Sequence, residues 1–194
     1  MRITRRWVWL IVAIGFVGLG VAVMTRGVGF TARASPSSFE EAVMRGARHW
    51  ATPSAMRDRR NPVEPSSDVM QEAMAHWADH CALCHDNDGS GRTATGKGLY
   101  PPVPDMRAGR TQDLTDGELF YVIERGIPFT GMPAWGNGTP ESEQQSWALV
   151  RFIRHLSRLT DEEIHRMEKL NPKSAEQIEQ ERRMNEFLKG RSGK

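Results

Sequence analysis

Residues 81–85 of this chain read Cys81-Ala82-Leu83-Cys84-His85 and contain both of its cysteines. Two thiols three residues apart lie on one turn of a helix, where they can add to the two vinyl groups of a haem. The histidine that follows can then point its imidazole at the iron. The motif therefore predicts one covalent haem c, attached through Cys81 and Cys84, with His85 as an axial ligand of the iron.

Two other kinds of site can begin with a Cys-x-x-Cys pair, a thioredoxin-like redox site and a zinc site. The redox site lies between a strand and a helix of a βαβ unit, and the sequence shows no such pattern. Zinc needs four ligands, and the chain has no second cysteine pair, so scattered histidines would have to supply the others. The sequence therefore favours haem over both alternatives.

Residues 1–24 predict a membrane anchor or a signal peptide. Three arginines precede an uncharged run at residues 7–24, whose 18 residues lie at the low end of the length that crosses a bilayer. Arginines on the short side keep the N-terminus cytoplasmic, which places the rest of the chain on the periplasmic side of a bacterial inner membrane. The small-x-small pattern at Ala32-Arg33-Ala34 leaves cleavage open, but the length of the run favours an uncleaved single-pass anchor.

The remaining chain divides into three parts. Residues 25–66 are a proline-containing spacer with one amphipathic helix, which begins at Ser38 and closes a capping box with Glu41. The apolar stripe of this helix is expected to pack on the haem domain or to lie on the membrane surface. Residues 67–159 are the predicted haem domain. Residues 160–194 form a charged helical tail, which is expected to be a solvated extension or a docking element for a partner.

The haem domain is predicted to be all-α. Its first helix carries an apolar stripe at residues 70–81, so that a buried face leads into the cysteine motif. A second helix spans residues 115–126 and a third begins at Thr139. The Gly- and Pro-rich loop at residues 86–113 is long, and a compact domain tolerates such a loop mainly when it wraps a ligand. The haem is thus expected to form part of the hydrophobic core.

Met132 is the predicted second axial ligand of the iron. It lies in the loop Thr130-Gly131-Met132-Pro133-Ala134-Trp135, where a glycine permits close approach to the haem and a proline stiffens the chain. A methionine opposite a histidine raises the reduction potential of the iron. Met106 is the alternative ligand, and core packing is the alternative role for Met132.

The sequence also predicts a role for the loop at residues 100–102, for the acidic stretch at residues 86–91 and for three histidines outside the motif. A carbonyl of Tyr100-Pro101-Pro102 is expected to accept a hydrogen bond from the second ring nitrogen of His85. The acidic stretch at residues 86–91 is expected to be a tight turn, because Lys97 stands where a calcium-binding EF-hand loop needs glutamate. Surface or packing roles are expected for the histidines at His76, His80 and His155.

The order of helix, haem motif, loop, helix, Met132 loop and aromatic-rich last helix resembles the monohaem class I cytochrome c family over residues 67–159. In that family the first and last helices cross at a small residue and a pair of aromatics. Ala73, Trp77 and Phe152 match these positions. The resemblance implies a small helical domain wrapped around one haem.

Within that family, the chain is most similar to bacterial membrane-anchored or periplasmic cytochromes related to the cytochrome c subunits of oxidases, in which the Gly131–Trp135 string is typical. This resemblance implies a single-electron carrier in a respiratory or periplasmic chain, not an enzyme. Its partners would be a donor dehydrogenase or cytochrome complex and an acceptor oxidase or reductase. The alternatives are a haem-based gas sensor, in which a gas displaces Met132, and the cytochrome subunit of a periplasmic redox enzyme.

Charge gives one further indication about partners. Residues 67–159 contain 12 acidic and 8 basic side chains, a net charge of −4, whereas residues 1–66 contain 10 basic and 4 acidic ones. An acidic haem domain is expected to dock on a basic face of its redox partner. No pattern in the sequence indicates binding to nucleic acid.

Overall fold

The computed structural model describes residues 5–28, 31–174, 176, 179–180, 182–184 and 186. In this part of the chain the regular secondary structure is helical and contains no strand, so the predicted all-α class is confirmed. The helices are α1 (Arg5–Val28), α2 (Ser38–Ala51), α3 (Ser54–Arg57), α4 (Ser67–His76), α5 (Ala82–His85), α6 (Ala94–Gly98), α7 (Gly109–Gln112), α8 (Asp116–Arg125), α9 (Pro140–His155) and α10 (Asp161–Glu168). A π-helical turn, Trp77–Cys81, joins α4 to α5, and a 3-10 turn, Leu156–Arg158, follows α9.

The N-terminal helix α1 contains the predicted apolar segment. Within it, Arg5–Val23 has a mean hydropathy of 2.0 and is not buried against the rest of the protein. By length and composition this segment could cross a membrane, which fits an anchor or a signal. Nine residues, 29–37, separate α1 from α2.

The core of the haem domain forms where α4 meets α9. Ala73 on α4 is buried, and one turn later the ring of Trp77 packs on that of Phe152, with centroids 5.3 Å apart and ring planes inclined at 57°. A tilted aromatic pair at this separation stabilises the contact beyond the burial of its area. The helix crossing implied by the resemblance is therefore present at the three residues named for it.

Helix α8 completes the core by stacking Phe120 on Trp147 of α9, with ring centroids 4.1 Å apart and planes within 10°. The guanidinium of Arg59 lies over both rings, 5.0 and 5.2 Å from their centroids. As predicted, α8 begins with a capping box at Thr115 and ends at Gly126. The α9 helix begins after the predicted Thr139 cap.

Helix α2 begins at Ser38, but its N-cap is Ser37. The hydroxyl of Ser37 accepts a hydrogen bond from the N–H of Glu40, 3.2 Å away, because Ser37 has the extended backbone that a cap requires while Ser38 is already helical. The predicted capping box between Ser38 and Glu41 was therefore wrong, because the N-cap lies one residue earlier.

The orientation of α2 contradicts one of the two expectations for its apolar stripe, packing on the haem domain, whereas contact of the stripe with a membrane surface stays a prediction. The helix contacts the haem domain through polar side chains, and its large apolar residues Phe39 and Trp50 are 79% and 87% exposed. Thr52, directly after the helix, is buried. The helix thus packs on the haem domain with its polar face inward.

The chain between α2 and α4 also lies against the haem domain. The side-chain amide of Asn61 donates to the carbonyl of Trp147 (2.8 Å), and Arg151 donates to the carbonyl of Val63 (2.9 Å). The hydroxyl of Thr115 donates to the carbonyl of Arg57 (2.7 Å). Much of the segment predicted as a spacer therefore wraps the domain instead of only linking it to α1.

Helix α10 begins with the predicted capping box at Thr160 and Glu163. Its Met167 is fully buried, and His155 contacts Glu163 at 2.9 Å, so this first part of the tail packs on the core. The predicted second tail helix, residues 174–189, lies partly outside the described residues. Its described members between 176 and 186 are helical.

Candidate haem site

A cavity lies between the cysteine motif, the loop after α6, helix α8 and the Met132 loop. Cys81, Cys84, His85 and Met132 all line it. Much of the remaining wall is apolar and includes Leu99, Pro101, Pro102, Val103, Leu119 and Val122. The four residues that the sequence predicts to hold a haem therefore face one shared space.

The π-helical turn Trp77–Cys81 positions the two cysteines. It ends at Cys81, and Cys84 follows on α5. Turns of this kind are frequent at functional sites. Nothing in the sequence predicts this turn, since the apolar stripe continues to Cys81 with an ordinary helical period.

The two cysteines are not joined in a disulfide. Burial, assisted by the neighbouring Cys84, raises the pKa of Cys81 to about 12, and burial also raises the pKa of Cys84. Neither side chain is therefore a reactive thiolate at neutral pH. An S–H group at each position is the reactant needed for addition across a vinyl double bond.

His85 is the last residue of α5. Its ring centroid lies 5.6 Å from that of Trp77, and its carbonyl accepts a hydrogen bond from the N–H of Gly91 (2.8 Å). Burial lowers the pKa of His85 to about 4. The imidazole is therefore neutral at physiological pH, which is the form that binds a metal.

The Nδ1 atom of His85 is buried, and no described residue forms a hydrogen bond with it. The predicted bond to a carbonyl of residues 100–102 was wrong: Pro101 and Pro102 form part of the cavity wall instead. A buried polar nitrogen without a partner is unfavourable, and a haem in the cavity would not supply a partner for this atom. The neutral imidazole, the two cysteines and the largely apolar wall nevertheless fit a bound haem.

The loop after α8 holds Met132 by its backbone. The N–H of Ile127 donates to the carbonyl of Met132 (3.0 Å), and the N–H of Met132 donates to the hydroxyl of Thr130 (3.1 Å). That hydroxyl in turn donates to the carbonyl of Ile127 (2.8 Å). The N–H of Trp135 donates to the carbonyl of Ile123 (3.0 Å), which returns the loop to α8. Both ends of the Met132 loop are thus fixed before any ligand binds.

Gly126 makes this loop geometry accessible, and we expect Gly126→Ala to destabilise it. The residue has a φ of 67°, and a Cβ atom there would lie 2.8 Å from the carbonyl oxygen of Met132 and 2.7 Å from the nitrogen of Ala134. Strain of this kind costs about 1–3 kcal/mol, which denaturant unfolding of the haem-loaded protein would measure. Gly98→Ala is the matched control because a Cβ atom at Gly98 has no neighbour within 4 Å. An equal loss at both positions would contradict this role for Gly126.

Met106, the alternative sulfur ligand, lines the same cavity and is 9% exposed within the core cluster. Its N–H donates to the carbonyl of Gly89 (2.8 Å). The cavity therefore contains both methionines considered as ligands. Both lie in loops, but they differ in burial, since Met106 belongs to the buried core and Met132 is only partly buried.

The histidines outside the motif occupy different settings. His80 is exposed but contributes to the cavity rim, where its ring lies 5.5 Å from that of Trp135. His76 contacts His80 edge to face, with centroids 5.0 Å apart. His155 is occupied by its contact with Glu163, as described above.

The acidic stretch at residues 86–91 forms a turn. Its carboxylates accept hydrogen bonds or form an ion pair with other groups of the protein. Asp86 accepts a hydrogen bond from the N–H of Asn87 (2.8 Å), and Asp88 accepts one from the N–H of Ser90 (2.8 Å). Asp88 also pairs with Arg107 at 2.8 Å. Within the described ranges, no cluster of acidic, histidine and cysteine side chains could hold a metal ion.

Arg48 is a cavity residue that sequence reasoning missed. It comes from α2, before the predicted haem domain, and lines the cavity with residues of the motif. The pattern of α2 draws attention to its apolar stripe, whereas Arg48 projects from the other side of the helix. Only the docking of α2 on the domain brings Arg48 to the cavity.

Comparison with known families agrees with this site. Residues 68–153 match the family model described as cytochrome c oxidase, cbb3-type, subunit III. A search of curated proteins gives no match to the chain. The family match supports a haem-based electron-transfer role. Residues 68–153 of this chain are therefore a c-type cytochrome domain related to the cytochrome c subunits of oxidases.

Proposed function

We propose that this protein is a single-electron carrier with one haem c, attached through Cys81 and Cys84 and ligated by His85 and Met132. The observation that carries the proposal is that all four side chains line one cavity with a largely apolar wall. A haem bound there supplies the one-electron couple of its iron.

The residues around the haem would suit it to electron transfer and not to catalysis on a substrate. The neutral imidazole of His85 is ready to bind iron without first losing a proton. The Met132 thioether, held by a fixed loop, would fill the opposite position and favour the ferrous state. With both axial positions filled by the protein, no site remains on the iron for a substrate, so we propose no enzymatic activity.

The setting of this carrier follows from the rest of the chain. We propose that α1 is retained as a single-pass anchor and that the haem domain lies on the periplasmic side of a bacterial inner membrane. Its electrons would come from a dehydrogenase or a cytochrome complex and pass to an oxidase or a reductase. The net negative charge of residues 67–159 suits a partner with a basic docking face.

The test is the absorption spectrum and reduction potential of haem-loaded protein with and without Met132→Ala. We expect the weak far-red band of a ferric methionine–iron bond in the wild type and its loss in the variant. The potential should fall by a substantial part of the roughly 0.8 V range over which axial ligands set haem potentials. Met106→Leu is the matched control, since this nearly volume-conserving change should keep the band and cost less than about 1.5 kcal/mol.

Two other outcomes would contradict the proposal, one for the identity of the sulfur ligand and one for the filled iron site. Loss of the band in Met106→Leu with retention in Met132→Ala would make Met106 the ligand. A wild type that lacks the band and binds carbon monoxide when reduced would have an open iron site. The carrier proposal would then give way to gas sensing or catalysis.

A further inference from the structure

The cavity contains one permanently charged side chain among the described residues that line it, and that side chain is Arg48. Its guanidinium is partly buried and forms no hydrogen bond or close ion pair with any described residue. Burial lowers the pKa of Arg48, while the charge of Glu118 acts in the opposite direction. Glu118 itself is engaged by His49 (2.8 Å) and by the N–H of Thr115 (2.9 Å). Arg48 is therefore a cation at an apolar cavity without a direct counter-ion.

The position of Arg48 is determined by polar contacts on the docked side of α2. Each contact reaches an element of the cavity wall: the loop after α6, helix α7 or helix α8. The contacts are Tyr100 with Glu40 (2.6 Å), Arg110 with Glu41 (2.8 Å) and Glu118 with His49 (2.8 Å). Pro101, Thr111 and Leu119, the next residue along the chain in each case, line the cavity. The helix is thus fixed along the wall on both sides of Arg48.

A partly buried guanidinium is stabilised by a carboxylate that it can pair with, and an unpaired one is costly. A haem carries two propionate carboxylates, which have the same need for a counter-charge. We propose that Arg48 binds a propionate of the haem. This inference rests on the proposed haem site, and it assigns a binding residue that lies outside the family-matched segment 68–153.

Such a pair would tune the reduction potential. A carboxylate beside the haem favours the more positive ferric state, and the charge of Arg48 offsets that effect. Arg48 would also keep the propionate ionised by lowering its pKa. Removing Arg48 should therefore lower the potential at alkaline pH. As the unpaired carboxylate takes up a proton in acid, the potential should return toward that of the wild type.

The experiment measures the reduction potential of the haem-loaded, full-length protein as a function of pH. Arg48→Gln should show a lower potential at alkaline pH and a pH-dependent segment that the wild type lacks, and Arg48→Lys should largely restore the wild-type profile. Arg48→Met serves as a second neutral variant if the glutamine variant does not mature. Arg45→Gln is the matched control, because it removes the same charge from the same helix at a residue that pairs with Glu41 and does not line the cavity.

The other titratable groups near Arg48 are present in both the wild type and Arg48→Gln. A pH-dependent segment of the reduction potential that only the variant shows therefore cannot come from those groups alone. Those on α2, facing it or lining the cavity are Glu40, Glu41, Arg45, His49, Arg57, His80, Cys81, Cys84, His85, Tyr100, Arg110 and Glu118.

Two results would overturn the proposal. One is an unchanged potential and pH profile in Arg48→Gln with the far-red band intact. The other is an equal fall of the reduction potential in Arg45→Gln. That result would show that the loss of any positive charge from α2 has the same effect as the loss of Arg48. A wild type without covalent haem, or without the far-red band, would instead count against the proposed haem site, because that result is obtained before any Arg48 variant is compared.

Discussion

Replacement of both Cys81 and Cys84 by serine is expected to abolish covalent haem attachment completely. Both thiols line the cavity, and a serine hydroxyl does not replace a thiol in the addition to a vinyl group. Haem staining after denaturing electrophoresis measures the effect directly, because only a covalently bound haem stays with the unfolded chain. The double variant should give no stained band, whereas the wild type should stain.

The two single variants supply the control for this experiment. Cys81→Ser and Cys84→Ser each keep one thiol, so each should retain some stained protein. The pyridine haemochrome band of either single variant should shift to longer wavelength, because one vinyl group stays conjugated with the ring. A stained band in the double variant would show that the haem is attached through some other residue.

Phe152→Ala is expected to destabilise the haem-loaded protein by about 3–5 kcal/mol. The side chain is fully buried at the contact of α4 with α9, where it packs on Trp77. Its removal would leave a cavity that the two crossing helices cannot readily close. Denaturant unfolding, followed by far-ultraviolet circular dichroism, measures the change in the free energy of unfolding.

Phe129→Ala is the control for the Phe152 variant. The same atoms are removed, but Phe129 is 95% exposed, so the expected change is within about 0.5 kcal/mol. Equal losses in the two variants would contradict the position of Phe152 in the core. A large loss at Phe152 alone would agree with a domain whose stability depends on the helix crossing.

Those parts of the molecule that depend on neighbouring residues in the sequence could be predicted. The caps at Thr115, Thr139 and Thr160 form as expected, because a cap requires only a side-chain oxygen and an N–H group within the same turn. Cys81 and Cys84 also lie within a single turn, so their positions relative to each other could be predicted from their spacing in the sequence. The aromatic crossing of Trp77 with Phe152 was accessible only through resemblance, since it joins distant parts of the chain.

The features that sequence reasoning missed depend on tertiary contacts. The polar side of α2 faces the domain because partners such as Tyr100 and Glu118 lie far along the chain, and the helix pattern alone cannot reveal them. The same holds for Arg48 at the cavity and for Met167 of α10 in the core. The sequence shows that α2 is amphipathic, but which side is covered depends on what the fold brings to it.

The docking of α2 has a consequence for how an anchored haem domain would find its partners. A spacer of residues 25–66 could extend by up to about 140 Å, but docking from Ser38 onward leaves only the nine residues between α1 and α2, which reach about 30 Å at most. With α1 retained in the membrane, the domain would be confined to a thin layer at the bilayer surface. Its encounters with membrane-bound redox proteins would then depend on a high effective concentration set by this short tether, more than on the affinity of any docking face.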